Sequence, residues 1–130
     1  MLRREVWEFL ARGKDAVIEE WLVDEKISKK DRAKLDLALA RLKTLDAGVF
    51  VPKLLAPLGD KILKLRLRCE NRELRPMLCR GPEPVCDPLD YTLLGGALEI
   101  GGDLHPGDAK EQAEKNRTDL LRNPKWKQVF

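Results

Sequence analysis

From Lys61 to Arg68 the chain alternates strictly: Leu63, Leu65 and Leu67 stand against Lys64, Arg66 and Arg68. A strand turns successive side chains to opposite faces, so this segment has one apolar and one cationic face. A short polar segment containing Asn71 follows. The chain then resumes as Glu73-Leu74-Arg75-Pro76-Met77-Leu78-Cys79-Arg80. The pattern predicts a hairpin whose two strands present arginines on a surface backed by a core. Several guanidinium groups on a rigid sheet suit a partner with regularly spaced negative charge, RNA above all.

The surrounding chain bears this out in charge. Residues 53–80 hold eight basic side chains against three acidic ones, whereas residues 83–121 hold nine acidic against three basic. The overall net charge of +3 hides that asymmetry. Localised charge steers partner choice more than the total does. The simpler reading of any single arginine is a solvated surface group. With 130 residues, 43% hydrophobic and 36% charged, the chain fits one folded domain with a highly charged surface. We expect a domain over residues 1–122 and a tail over 123–130. No apolar run approaches the ~20 residues of a membrane span, and Met1-Leu2-Arg3-Arg4 leads into no signal-peptide core. A cytoplasmic protein with no membrane partner is the expectation. Cys69, Cys79 and Cys86 lack metal-ligand spacing, and His105 is the only histidine, so no metal and no cofactor is expected. Cys69 and Cys79 are placed to face each other across the hairpin. Reduced packing residues are the expected state.

Arg4 to Leu10 mixes β-formers with alternating charge and predicts a first strand, ended by Gly13. Asp15 is placed to cap a helix carrying Val17, Ile18, Trp21 and Leu22 on one stripe. Ser28-Lys29-Lys30-Asp31 resembles a capping box for a second helix, with Leu35, Ala38, Leu39, Leu42 and Leu45 on one side and an end near Gly48. The two apolar stripes are expected to pack on each other or on the sheet. Pro52, Pro57 and Gly59-Asp60 punctuate a connection into the hairpin, and residues 81–88 form a loop. Tyr91 to Ala97 predicts a further strand, its Gly95-Gly96 marking a bulge or a close approach. Tyr91 is expected to be half-buried, and Trp7 and Trp21 to be core residues. Pro76 lacks a ladder donor in an inner strand, which predicts a bulge or a local edge. Pro106 suits the first residue of a last helix running from Gly107 to about Arg122, stopped by Asn123-Pro124. Trp126, in the basic tail, offers a ring for stacking on a base; folding back on the domain or disorder is the simpler expectation. The fold class is α+β: N-terminal strand, helical pair, antiparallel three-strand segment, C-terminal helix.

This order resembles the RelE/HigB-like toxin superfamily, in particular its phage-derived branch. The matching words are Trp7-Glu8-Phe9-Leu10 before the helical pair, Leu58 to Arg66 entering the hairpin, Arg75 on the next strand, Leu93-Leu94-Gly95-Gly96, and Pro106-Gly107-Asp108-Ala109. The resemblance spans about residues 4–122 and implies a RelE/ParE-like fold. It further implies the toxin of a type II toxin–antitoxin system, a ribosome-dependent messenger RNA endonuclease silenced by a cognate antitoxin of helix-turn-helix type. In such proteins the RNA 2′-hydroxyl attacks the neighbouring phosphate while cationic side chains neutralise the developing charge. That step asks for positive charge on the phosphate oxygens, a proton acceptor and a proton donor.

Carried over residue by residue, the resemblance assigns Arg66 and Arg75 to the family's basic positions, with Arg68 beside them. His105, the one histidine, is the candidate acid or base, histidine being the side chain whose ordinary pKa lies nearest neutrality. A lone histidine before a helix is more often a capping or surface residue. Lys64, Arg66, Arg68, Arg72, Arg75 and Arg80 form the expected nucleic-acid surface. Glu99 and Asp103 stand where many relatives carry lysines, and they place negative charge where an RNA phosphate would approach. The alternative is therefore a catalytically inactive, phage-derived RelE/ParE-fold module that binds a nucleic acid, DNA gyrase or a protein partner.

Overall fold

The computed structural model describes residues 4–44 and 54–130. Along them run β1 (Val6–Ala11), β2 (Asp15–Ala16), α1 (Val17–Asp24), α2 (Lys29–Thr44), β3 (Leu55–Gly59), β4 (Ile62–Leu65), β5 (Leu67–Cys69), β6 (Arg72–Arg80), β7 (Tyr91–Ile100), β8 (Asp103–His105), α3 (Ala109–Arg122) and β9 (Lys127–Val129). The strands form one mixed sheet in the order β2-β1-β7-β6-β4-β3, with β5 on β6, β8 on β7 and β9 on β1. Among the described strands only the β1–β7 pair is parallel. The architecture is α+β as expected, with nine described strands where the sequence suggested four. Leu45, the helix end near Gly48, Pro52 and Lys53 lie outside the described residues.

The alternation of the basic run settles which face of the sheet each residue takes. Leu65 and Leu67, with Leu63 partly buried beside them, join Leu74, Leu78 and Leu93 on one face. There they pack against Ile18 and Leu22 of α1 and Leu35, Ala38, Leu39 and Leu42 of α2, whereas Val17, expected on the same α1 stripe, packs in the cluster on the other face. The other face carries Phe9, Ile62, Met77, Cys79, Leu94 and Ala97 beneath Ala109, Ala113 and Leu120 of α3. Cys69 and Cys79 belong to opposite faces of the sheet and do not face each other. All three thiols are free and buried, and burial pushes Cys79 up to about 12.

Local chemistry explains most boundaries. Ser28 Oγ accepts the Asp31 N–H at 3.1 Å, opening α2 as the capping box predicts. Asp15 does not cap α1, whose N-cap is Ala16 without a side-chain bond. It pairs instead with Ala11 in the β1–β2 ladder and with Arg12 in an ion pair. The connection expected before the hairpin contains β3, paired with β4. Pro57 is tolerated there because β3 is an edge strand. Three residues with positive φ, Gly59, Asp60 and Lys61, make the turn. α3 begins at Ala109, with Pro106 ahead of it and Asp108 at its N-cap. Tyr91 is fully buried rather than half-buried, while Trp7 and Trp21 are only half-buried.

Pro76 breaks the ladder as expected. The pairs Lys64↔Met77 and Leu67↔Leu74 leave Leu65, the last residue of β4, opposite Pro76 and Arg66, in the break before β5, opposite Arg75. Arg66 gives its N–H to Leu54 at 2.8 Å instead. On the other side of β6 the register slips between Met77 and Leu78, where β7 holds the additional residue Leu94. Gly96 is a close approach: a Cβ there would run into the Trp21 indole. Residues after Asn123 return to the domain. β9 pairs antiparallel with Trp7, Glu8 and Phe9, and Trp126 packs on Phe9 with ring centroids 6.5 Å apart.

Candidate nucleic-acid interface

α3 covers only part of its face of the sheet. Beyond it the same face carries the cationic side of the alternating run. Lys64 and Arg68 come from β4 and β5, Arg66 from the break between them, Glu73 and Arg75 from β6, and Glu99 from β7. The register pairs Arg68 with Glu73, Glu73 with Glu99 and Arg75 with Ala97, which aligns these side chains on one side.

The charges interlock. Lys64 Nζ donates to Glu99 Oε1 at 2.8 Å, and Arg75 Nη2 donates to Glu99 Oε2 at 3.0 Å. Arg75 also reaches Glu73 Oε2 at 3.4 Å, and Glu73 Oε1 lies 3.5 Å from Arg68 Nε. Through these contacts Glu99 bridges two cations. Hydrogen bonds from Lys64 and then Arg75 hold its carboxyl below the usual glutamate range, against a smaller opposing effect of burial. Arg75 is only 6% exposed, gives Nη1 to the Leu74 carbonyl, and has a buried Nε without an acceptor. Among the described residues, Arg66 and Arg68 remain open to solvent on this face, the latter with 82% of its side chain exposed.

Four of the six predicted surface residues therefore come together: Lys64, Arg66, Arg68 and Arg75. Arg72 does not join them. It faces the α1 side, donating to the Glu25 carbonyl at 2.7 Å with the Glu25 carboxylate 3.6 Å away. Arg80 sits at the other end of β6, its guanidinium 5.5 Å from the Tyr91 ring centre. His105 lies on β8 opposite Leu98. Leu98 alternates with Glu99, so the histidine projects from the face opposite Arg75, and the three predicted catalytic side chains do not converge. Trp126 is held against Phe9 and is not presented for stacking on this face. Sequence reasoning read Glu99 as an obstacle to RNA; it is the internal counter-ion of Arg75 and Lys64. The signal for that role is its place on β7 in alternation with Ala97, on the strand beside Arg75.

Among the described residues no cluster of His, Cys, Asp and Glu is arranged to hold a metal, and no helix is long and apolar enough to cross a membrane. The chain matches no family model, no curated protein and no solved structure.

Proposed function

We propose that this chain is a RelE/HigB-type domain that binds RNA on its open sheet face, through Arg66 and Arg68, without cleaving it. The observation that carries this reading is the state of Arg75. Its guanidinium is buried and held by Glu99 at 3.0 Å and Glu73 at 3.4 Å. A guanidinium in that state cannot also clamp a phosphate in the transition state. Arg66 forms no ion pair among the described residues, and Arg68, exposed beside Glu73 at 3.5 Å, is not buried; both offer charge at the rim, where phosphates contribute affinity without demanding chemistry. The resemblance adds the protein partner that suits this face, a helix-turn-helix antitoxin with an acidic segment, and the ribosome as the place where RNA is met.

A second reading, the messenger RNA endonuclease, is favoured by one observation: Arg66 stands opposite Arg75 across the strand pair. For it to act, Arg75 must leave Glu99. Both readings are tested together by fluorescence anisotropy with single-stranded RNA and by mapping of messages on programmed ribosomes. We expect salt-sensitive binding and intact messages. Neutralising Arg66 and Arg68 should lower the slope of log affinity against log salt by about 1.4, from ~0.7 per phosphate contact on single strands. Cleavage by the unaltered protein that is lost in Arg75→Lys would replace the binding reading with the enzyme.

A further inference from the structure

We propose that the slot between α1 and α3, at the free edge of β7, is a docking site for an extended segment of a partner protein carrying lysine or arginine. β7 has β6 along one side. On its other side β1 pairs with Tyr91, Thr92 and Leu93, and β8 pairs with Leu98, Glu99 and Ile100. Among the described strands, none pairs with residues 94–97 on that side. Unpaired main chain at a sheet edge is a template for one more strand.

α1 and α3 wall this edge and leave a cavity of about 350 Å³ reached by Leu94, Gly95 and Gly96. Space is open above Gly95, where nothing lies within 4 Å of the position a Cβ would take. Asn116 Nδ2 donates to the Leu94 carbonyl at 2.8 Å, so one main-chain acceptor of this stretch already takes a partner from outside the sheet. Trp21, which lines the same slot, has its indole N–H buried with no acceptor.

Charge selects the occupant. Glu20 and Asp24, four residues apart on α1, line the slot and are exposed. Their neighbours Glu19 and Glu25 are matched by Arg32 and Arg72, whereas Glu20 and Asp24 form no ion pair among the described residues. Like charges at that spacing repel. Asp24 also ends a helix whose last turn holds no basic residue, where the helix dipole disfavours a carboxylate. Alone the arrangement is unfavourable, and a cation held between the two carboxylates relieves both terms. An extended peptide with basic residues at alternate positions presents them along one face while its main chain pairs with the β7 edge.

The test uses the full chain and a fluorescein-labelled hexapeptide alternating lysine and valine, followed by fluorescence anisotropy, with a thermal melt confirming that each variant folds. We expect saturable binding, with the Gly95 and Gly96 amide signals shifting in nuclear magnetic resonance titrations. Affinity should fall at least tenfold in Glu20→Lys/Asp24→Lys, and at least tenfold when alternate peptide amides are N-methylated, which removes ladder donors but keeps the charge. Reversing Arg66 and Arg68 to glutamate should leave it unreduced, which separates this site from the proposed RNA face. Absence of binding, equal affinity for the N-methylated peptide, or affinity indifferent to Glu20 and Asp24 would each overturn the proposal.

Discussion

Under α3, the strands β6 and β7 present Met77, Leu94 and Ala97 to Ala109 and Ala113. Two residues further along the same strands, past the helix, they present Arg75 and Glu99 to each other. The contrast lies in what covers the sheet. Where a helix closes the face, burial of apolar surface supplies the stability. Where nothing does, the sheet closes its own charges into a network of Lys64, Glu99, Arg75, Glu73 and Arg68. A chain can thus carry a basic surface in sequence and display far less of it in the fold. Here two of the four converging cations are internal to the structure.

The largest expected effect comes from breaking the uncovered end. Glu99→Ala takes away the nearer carboxylate of a buried guanidinium, and such losses cost about 3–5 kcal/mol. Urea unfolding should show it, and the Arg75→Met/Glu99→Leu pair should recover most or all of the loss, because an apolar pair needs no counter-ion. A double variant as unstable as Glu99→Ala would mean that the network is not what holds this end. At the covered end Met77→Ala should cost about 2–5 kcal/mol through a cavity, with no comparable single-partner rescue.

Acid separates the two ends further. Glu99 is depressed, so its contribution is present above the unfolded glutamate value of 4.5 and is lost as pH falls through the lower folded value. The stability gap between the wild type and Glu99→Gln should narrow on acidification, while that for Met77→Ala should not. Glu8 has the opposite sign. It is buried on β1, and burial raises its carboxyl above 4.5 despite the bond from Gln128. Its neutral form is favoured in the fold, so its contribution is present at low pH and is lost as pH rises through the folded value. Glu8→Gln should therefore gain a little stability at pH 7 and none at pH 4. The smallest effect belongs to Arg68→Ala, which should leave the unfolding midpoint unchanged and lower RNA affinity alone.

What was legible in the sequence had a local cause. Period two in residues 61–68 reported both faces of the sheet, period 3.6 reported the buried stripe of α2, and Ser28 reported where that helix starts. Pro76 announced a fault in its strand for a reason contained in the residue itself. What stayed hidden depended on residues far along the chain. Pro57 and Gly59 read as punctuation because nothing local says that Leu55–Gly59 will find an edge. Glu99 read as repulsive because its partners, Lys64 and Arg75, are 35 and 24 residues away. Three short strands, β2, β8 and β9, exist only because longer ones lie beside them.

The pairing of β1 carries a kinetic consequence. Asp90 accepts the Glu5 N–H across 85 residues, and Gln128 reaches Glu8 across 120. Strands β3 to β7 by contrast meet mostly neighbours in the chain. Closing the longer loops carries the larger entropic cost and brings no contacts until it is complete. The meander should form the folding nucleus, with β1 and β9 docking after the barrier. A Gln128→Ala change would then hasten unfolding while leaving the folding limb of the chevron where it was.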